Sequence, residues 1–335
     1  MKLARSRFLR IFGTLIGVFG LLLALGVSAQ SAEKVGFQNY WVITANVGPY
    51  LTALEHGYYK AEGLDVDFPV GKGSSHALQM VGAGKMDIGI SDFGAMSMAI
   101  SRGVPVKGFF CYLQRSPLGI IVDKKAGIKS PKDLEGKRIG FAPADSGWLL
   151  FPVFAKVNGV DMKKMTLVSA QPSVRNKLIL TGDVDALVAY PTTGVPQLNA
   201  SGGNVVGMRY ADHNVNALGA GLMATKETLK ERAGMIRKFV RATTKAFKRS
   251  LENPKETVSI LLKRAPLTIK NRKTATMILM SGLNDLHTKR SKGKSLGWMA
   301  RADWKDTLAL LSKVGKLKKV MPVDSYYTND FIAKD

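Results

Sequence analysis

Residues 55–79, EHGYYKAEGLDVDFPVGKGSSHALQ, compress a helix end, a strand and a polar turn into one short stretch. Ala53, Leu54 and Tyr58 can share an apolar helix face, and Gly57 and Gly63 are helix breakers. Leu64-Asp65-Val66-Asp67-Phe68 alternates apolar and acidic residues, the period-two pattern of a strand. Pro69, Gly71 and Gly73 end that strand, and Ser74 and Ser75 suit the N-cap of the next helix. The stretch therefore reads helix, strand, polar turn, helix. A turn that presents hydroxyls and free N–H groups at a helix start suits an anion or a polar ligand.

The same alternation extends outward. Strands are expected at 34–37, 64–68, 86–90, 106–113, 119–122, 138–141, 165–169, 186–190, 204–207 and 219–224. Helices are expected at 46–58, 75–83, 94–101, 131–135, 148–158 and 173–180. Beyond about Thr225 the chain reads almost entirely as helices, broken near Asn253-Pro254, Pro266 and residues 293–297. Alternating strands and helices predict an α/β fold with a largely parallel sheet covered on both faces. Such sheets bind ligands at the carboxyl ends of their strands. The first three strand ends lead into Gln38-Asn39-Tyr40-Trp41, the turn 71–75, and Ser91-Asp92, which should gather on one sheet edge.

The N-terminus carries Lys2, Arg5, Arg7 and Arg10 ahead of an apolar run from about Ile11 to Leu25. Val27-Ser28-Ala29 then fits a signal peptidase site, so residues 1–29 read as a Sec-type signal peptide. The run is interrupted by glycine and short for a membrane span, and no cysteine follows it to carry a lipid. The mature chain is expected to be exported and soluble. Cys111, the only cysteine, cannot form an internal disulfide, and in GFFCYLQ it reads as a small buried hydrophobe. Roughly 300 mature residues without disulfides suit two lobes better than one.

The formal charge is +24, from 49 Lys and Arg against 25 Asp and Glu. Removing the four leader cations leaves +20, with much of the excess in the last third. There the cations alternate with Met235, Ile236, Phe239, Val240 and Phe247, as on amphipathic helices with solvated basic faces. A solvated surface is the preferred reading, with a polyanion partner as the alternative, and no nucleic-acid partner is expected of an exported chain. The positive field would raise the on-rate of an anionic ligand.

Four segments, GYYKAEGLDV (57–66), ALQMVGAGKMDIG (77–89), GIKSPKDLEGKRIG (127–140) and VDALVAYPTTG (184–194), carry a family resemblance. The chain resembles the solute-binding proteins of bacterial ABC importers in the nitrate/sulfonate/taurine group, which includes the thiamine-pyrimidine precursor binders. The resemblance covers nearly all of the mature chain. It implies an α/β, two-lobed periplasmic-binding-protein (type II) clamshell, each lobe a mainly parallel sheet with helices on both faces. Lobe 1 would hold residues 30–118 and 219–335, including the helical tail, and lobe 2 residues 119–218. Two crossovers would lie near 118–123 and 218–224, and hinged closure would bury the ligand. The implied function is a monomeric periplasmic receptor without chemistry or cofactor of its own, which passes a small molecule to an ABC permease in the inner membrane.

Carried over by position, the resemblance places Tyr40, Trp41, Gly73, Ser74, Ser75, Ser91 and Asp92 of the first lobe in the ligand site. Arg115 and Ser116 lie near the first crossover. The second lobe would add Asp145, Ser146, Trp148 and Tyr190, with Asn214 and Asn216 before the return crossover. Arg115 could fork onto a carboxylate or sulfonate. Asp92 could bind an amine or ring N–H, or cap a helix. Trp148 could stack on ligand or belong to the core. Two departures from the family matter: Asp145 stands where an anion cradle is usual and would repel an anion, and the acid usual before Pro191 is absent. Aromatic walls with a few polar anchors favour a planar or anionic organic molecule, an aromatic carboxylate, sulfonate or pyrimidine, over nitrate.

Two other functions compete: a basic envelope protein that binds polyanions, and an enzyme like the pyrimidine-forming synthases that share the fold. Export argues against the enzyme. So does the lack of HExxH, GxSxG or P-loop spacing around His56, His76, His213 and His287.

Overall fold

The computed structural model describes residues 31–333, so the expected signal peptide lies outside the described residues. Ten strands form two five-stranded sheets. They are β1 (Glu33–Gln38), β2 (Leu64–Asp67), β3 (Ile88–Asp92), β4 (Val106–Cys111), β5 (Gly119–Asp123), β6 (Arg138–Phe141), β7 (Thr166–Ser169), β8 (Ala186–Ala189), β9 (Val205–Arg209) and β10 (Ala220–Thr225). The first sheet has the order β2-β1-β3-β10-β4 and the second β7-β6-β8-β5-β9.

Both sheets are mixed and mainly parallel, as expected: in each, four strands run one way and a single strand runs against them. β1 pairs in parallel with β2 and β3, but β10 runs antiparallel to β3 and β4. Likewise β6 is parallel to β7 and β8, whereas β5 is antiparallel to β8 and β9. The reason is topological. β5 and β10 are the strands reached after the chain passes from one sheet to the other. Each enters from the edge where the parallel strands end, and so runs the opposite way.

Burial explains the strand sequences. β8 (ALVA) and β10 (AGLMAT) are apolar or small throughout and buried throughout, as interior strands covered on both faces must be. β2 (LDVD) lies at a sheet edge, with Leu64 buried and Asp65 and Asp67 exposed. The bend before it uses glycine where the chain turns left-handed, at Gly57 (φ 63°) and Gly63 (φ 73°). Cys111 is buried, as a small apolar residue would be.

Each sheet carries its own core. Phe37 packs edge-on to Tyr50 and Phe239 in the first, and Phe154 stacks on Tyr210 in the second. The C-terminal tail is not confined to the first core. Leu311 and Val314 join the second, and the helix Arg272–Asn284 packs against the helix Pro191–Ala200. Among the described residues, no helix is long and apolar enough to cross a membrane.

Candidate functional site

Five parallel strand ends supply one cavity. β1 leads to Tyr40 and Trp41, β2 to Gly73 and Ser74, and β6 to Asp145 and Ser146. β7 leads into the helix Pro172–Leu180, which contributes Arg175 and Asn176. β8 leads to Tyr190 and the helix Pro191–Ala200, which adds Thr193, Gly194 and Gln197. Val42, Thr44 and Pro172 complete a cavity of about 70 Å³.

Two phenols form facing walls. The Tyr40 and Tyr190 rings lie 6.1 Å apart, tilted by 35°. The Tyr40 hydroxyl accepts a hydrogen bond from Asn46 Nδ2 at 2.8 Å, and burial pushes its pKa up to about 12. Burial also raises that of Tyr190, whose hydroxyl sits 3.3 Å from Ser146 Oγ. Both phenols are therefore neutral near pH 7 and can donate as well as accept.

The charged lining consists of one pair. Arg175 donates to Asp145 at 2.7 Å, and both side chains are 8% exposed. Asp145 also caps the helix Ser146–Val157, accepting from the Gly147 N–H at 2.8 Å. The same Arg175 nitrogen reaches the Val188 carbonyl at 3.0 Å. The guanidinium lies 4.9 Å from the Trp41 ring centroid, a cation–π contact from the second sheet's side to the first. Arg175 Nε is buried and has no hydrogen-bond partner in the protein. The anion repulsion expected from Asp145 is thus offset, because Arg175 neutralises it within the lining.

The turn 71–75 spends three of its N–H groups on protein. Gly71 donates to the Trp41 carbonyl at 3.0 Å, Gly73 to the Tyr40 carbonyl at 2.7 Å, and Ser75 to the Ala144 carbonyl at 3.2 Å. Gly73 has φ 130°, and a Cβ there would meet the Ala144 oxygen at 2.2 Å. Only glycine allows so close an approach between the turns of the two sheets. Neither serine caps the helix Ser74–Gly82: Gly73 is the N-cap residue, and Ser74 Oγ instead accepts from the Asp92 N–H at 3.3 Å. The turn expected from the sequence to receive an anion thus commits the Gly71, Gly73 and Ser75 N–H groups to carbonyls, while Gly73 and Ser74 line the cavity.

Of the sequence candidates, Tyr40, Trp41, Gly73, Ser74, Asp145, Ser146 and Tyr190 come together at the cavity, and the rest do not. Ser75 and Trp148 line a separate depression beside Leu78 and Met98, with Trp148 stacked on Phe141 at 3.7 Å. Ser91 is buried and bonds the Asp92 carbonyl. Asp92 caps the helix Phe93–Ser101 through the Gly94 and Ala95 N–H groups. Burial pushes its pKa up to about 7, and its second oxygen has no hydrogen-bond partner. Arg115 is exposed and paired with Asp212 at 2.9 Å. Ser116 is buried in the chain connection, and Asn216 is exposed to solvent. Arg175, Asn176, Thr44, Thr193 and Gln197 were not read from the sequence. The usable signal for Arg175 was that Gln171-Pro172 starts a helix after a strand end, the same rule that located the other turns.

Residues 44–257 match the model of the NMT1/THI5-like family. The chain belongs to the NMT1/THI5-like family. It is 22% identical over 304 residues to the riboflavin-binding protein RibY of Chloroflexus aurantiacus, covering 90% of this chain and 86% of that protein. It is 25% identical over 324 residues to the 4-amino-5-hydroxymethyl-2-methylpyrimidine phosphate synthase THI13 of Saccharomyces cerevisiae, covering 91% and 89%. Among solved structures it is similar to the alkanesulfonate-binding protein SsuA from Xanthomonas axonopodis pv. citri bound to MOPS. The TM-score is 0.67 and the identity 15%, over 90% of this chain and 100% of that one. The fold is thus the two-lobed α/β fold of periplasmic binding proteins.

Proposed function

We propose that this member of the NMT1/THI5-like family is an exported receptor that captures a small planar ligand between its two sheets and delivers it to an ABC permease. One observation carries the choice of ligand: three aromatic rings, Tyr40, Trp41 and Tyr190, line the cavity, and its only charged residues, Arg175 and Asp145, cancel each other. A neutral heteroaromatic ring suits such a lining better than nitrate or a sulfonate, which would meet no uncompensated cation. The names of RibY and the yeast synthase, one a flavin binder and the other a pyrimidine-forming enzyme, support a nitrogen heterocycle.

In this reading Tyr40 and Tyr190 flank the ring, and their hydroxyls serve its polar edge together with Ser146, Asn176 and Gln197. Arg175 Nε offers one more donor to a ring carbonyl or nitrogen. Small-molecule sites run to roughly 300–1,000 Å³, so a cavity of about 70 Å³ requires the lobes to part for entry. Hinged closure is a known solution.

The test is a thermal-shift panel on protein stripped of carried-over ligand by unfolding and refolding. Ligand at about 100 times its dissociation constant should stabilise by about 2.7 kcal/mol. Stabilisation by flavins or pyrimidines, but not by alkanesulfonates, taurine or nitrate, is the expected result. Stabilisation by sulfonates alone would overturn the neutral-ring assignment. The likeness to a synthase favours a second, enzymatic reading. Conversion of a bound heterocycle by the purified protein, followed by mass spectrometry, would replace the receptor with an enzyme.

A further inference from the structure

The helix Ala233–Glu252 has two unlike faces. Met235, Ile236, Phe239 and Phe247 are buried in the first core. On the outer side, Arg237, Arg241, Lys245 and Lys248 recur every three or four residues and line a groove of about 790 Å³. Its floor is apolar, made by Val240, Phe331 and Ile332. A second depression of about 420 Å³ shares Asp330 and Phe331 with it and adds Lys107, Lys226 and Lys230. The two depressions adjoin at Asp330 and Phe331, and their rims hold more cations than acids, the acids being Glu252, Asp330 and the Arg301-paired Asp324.

The cations differ in how far they are neutralised. Arg241 is paired with Glu62 at 2.6 Å. Lys245 sits 4.4 Å from the Tyr58 ring centroid and Arg237 5.1 Å from that of Phe331. A cation–π contact positions a charge without cancelling it. Among the described residues, no carboxylate pairs with Arg237, Lys245 or Lys248. Arg237 also donates to the Asp330 carbonyl at 2.5 Å, which leaves Lys245 and Lys248 as the two charges with the greatest freedom to meet a partner.

We propose that this groove binds an extended acidic segment of a partner protein. Spacing is the first reason. Helical rise puts successive cations about 4.5–6 Å apart along the axis. Alternate side chains of an extended chain recur at about 6.7 Å and point the same way. A strand of alternating acidic and apolar residues would thus place carboxylates on the rim and apolar side chains on the floor. Shape is the second reason: a concave track fits a chain better than a flat bilayer. Ring availability is the third. Single-stranded nucleic acid binds by stacking bases on aromatic faces, but Tyr58 and Phe331 each have a cation over one face.

The test uses the mature protein and a fluorescein-labelled peptide of alternating Glu and Val, with binding read by anisotropy. Binding should weaken about tenfold in Lys245→Glu/Lys248→Glu, and steeply between about 50 and 300 mM salt. The control is Lys129→Glu/Lys163→Glu, which makes the same charge change at exposed positions outside the groove, and its loss should stay within about twofold. The milder Lys245→Gln/Lys248→Gln should lose an intermediate amount, and unchanged melting of all three variants would show that they fold. Equal loss in the groove and control variants would overturn the site in favour of a general positive field. So would tighter binding of single-stranded DNA or of phosphatidylglycerol vesicles than of the peptide.

Discussion

Arg175–Asp145 and Arg115–Asp212 are chemically the same pair at almost the same separation, 2.7 and 2.9 Å. The first has both side chains 8% exposed beside the cavity, and the second is about half exposed on both sides. The buried pair has given up water, so each charge depends on the other, on the Gly147 N–H and on the Val188 carbonyl. The exposed pair retains its solvent and gains little from contact. From sequence, Arg115 was the arginine offered to the ligand, yet Arg175 is the one that lines the cavity. The difference teaches that an arginine's role here follows from the dielectric around it.

The largest effect expected from breaking this contrast is Arg175→Ala. It strands Asp145 as a buried, unpaired carboxylate and removes the cation from Trp41, at a cost of about 3–5 kcal/mol. Chemical denaturation would measure it, and a loss below about 1 kcal/mol would mean that Asp145 is solvated.

Asp92 sharpens the comparison as a buried acid without a cation. Its pKa rises from 3.8 to about 7 in the folded state. Between those values the folded form holds a proton that the unfolded form has lost. Asp92 therefore lowers stability as pH rises from about 4 to 7, and the penalty is complete above 7. Asp92→Asn keeps a capping oxygen and removes the charge. It should be more stable than the parent above pH 7, on the order of 2–4 kcal/mol, with the advantage vanishing near pH 4. Melting curves of both proteins across that range would show it, and parallel profiles would reject it.

Removing both charges, in Arg175→Met/Asp145→Asn, should return stability to within about 1 kcal/mol of the parent, because an apolar replacement avoids the desolvation cost. Affinity for the ligand should remain impaired, which separates holding the fold from holding the ligand. The smallest effect belongs to Arg115→Ala, at most about 1 kcal/mol and reduced by salt, with ligand binding unchanged. A loss of binding there would restore Arg115 to the site.

The contrast also marks what was legible in advance. All ten strands were readable because each is a short apolar or alternating run between breakers, as in Leu64-Asp65-Val66-Asp67. The turns after β1, β2, β6 and β8 were legible as well, since polar and aromatic residues follow strand ends. The helix Pro191–Ala200 was not. Its sequence, PTTGVPQLNA, holds two prolines and a glycine and scores poorly on helix propensity. It forms where packing admits it. Pro191 opens the helix, and a Cβ at Gly194 would meet Ile121 at 2.2 Å, so glycine lets the helix seat on the second sheet. With that helix unread, Thr193 and Gln197 went unread as well.

The sequence by itself determined the succession of elements, the α/β class and the strand ends from which a site could be built, because these follow from hydrophobic period and breakers along the chain. Tertiary structure alone decided the direction of β5 and β10, the pairing of the Gly71, Gly73 and Ser75 N–H groups with distant carbonyls, and the meeting of Arg175 with Asp145 and Trp41. Those outcomes depend on which groups lose water together. That is a property of groups distant in the chain, and no local pattern encodes it.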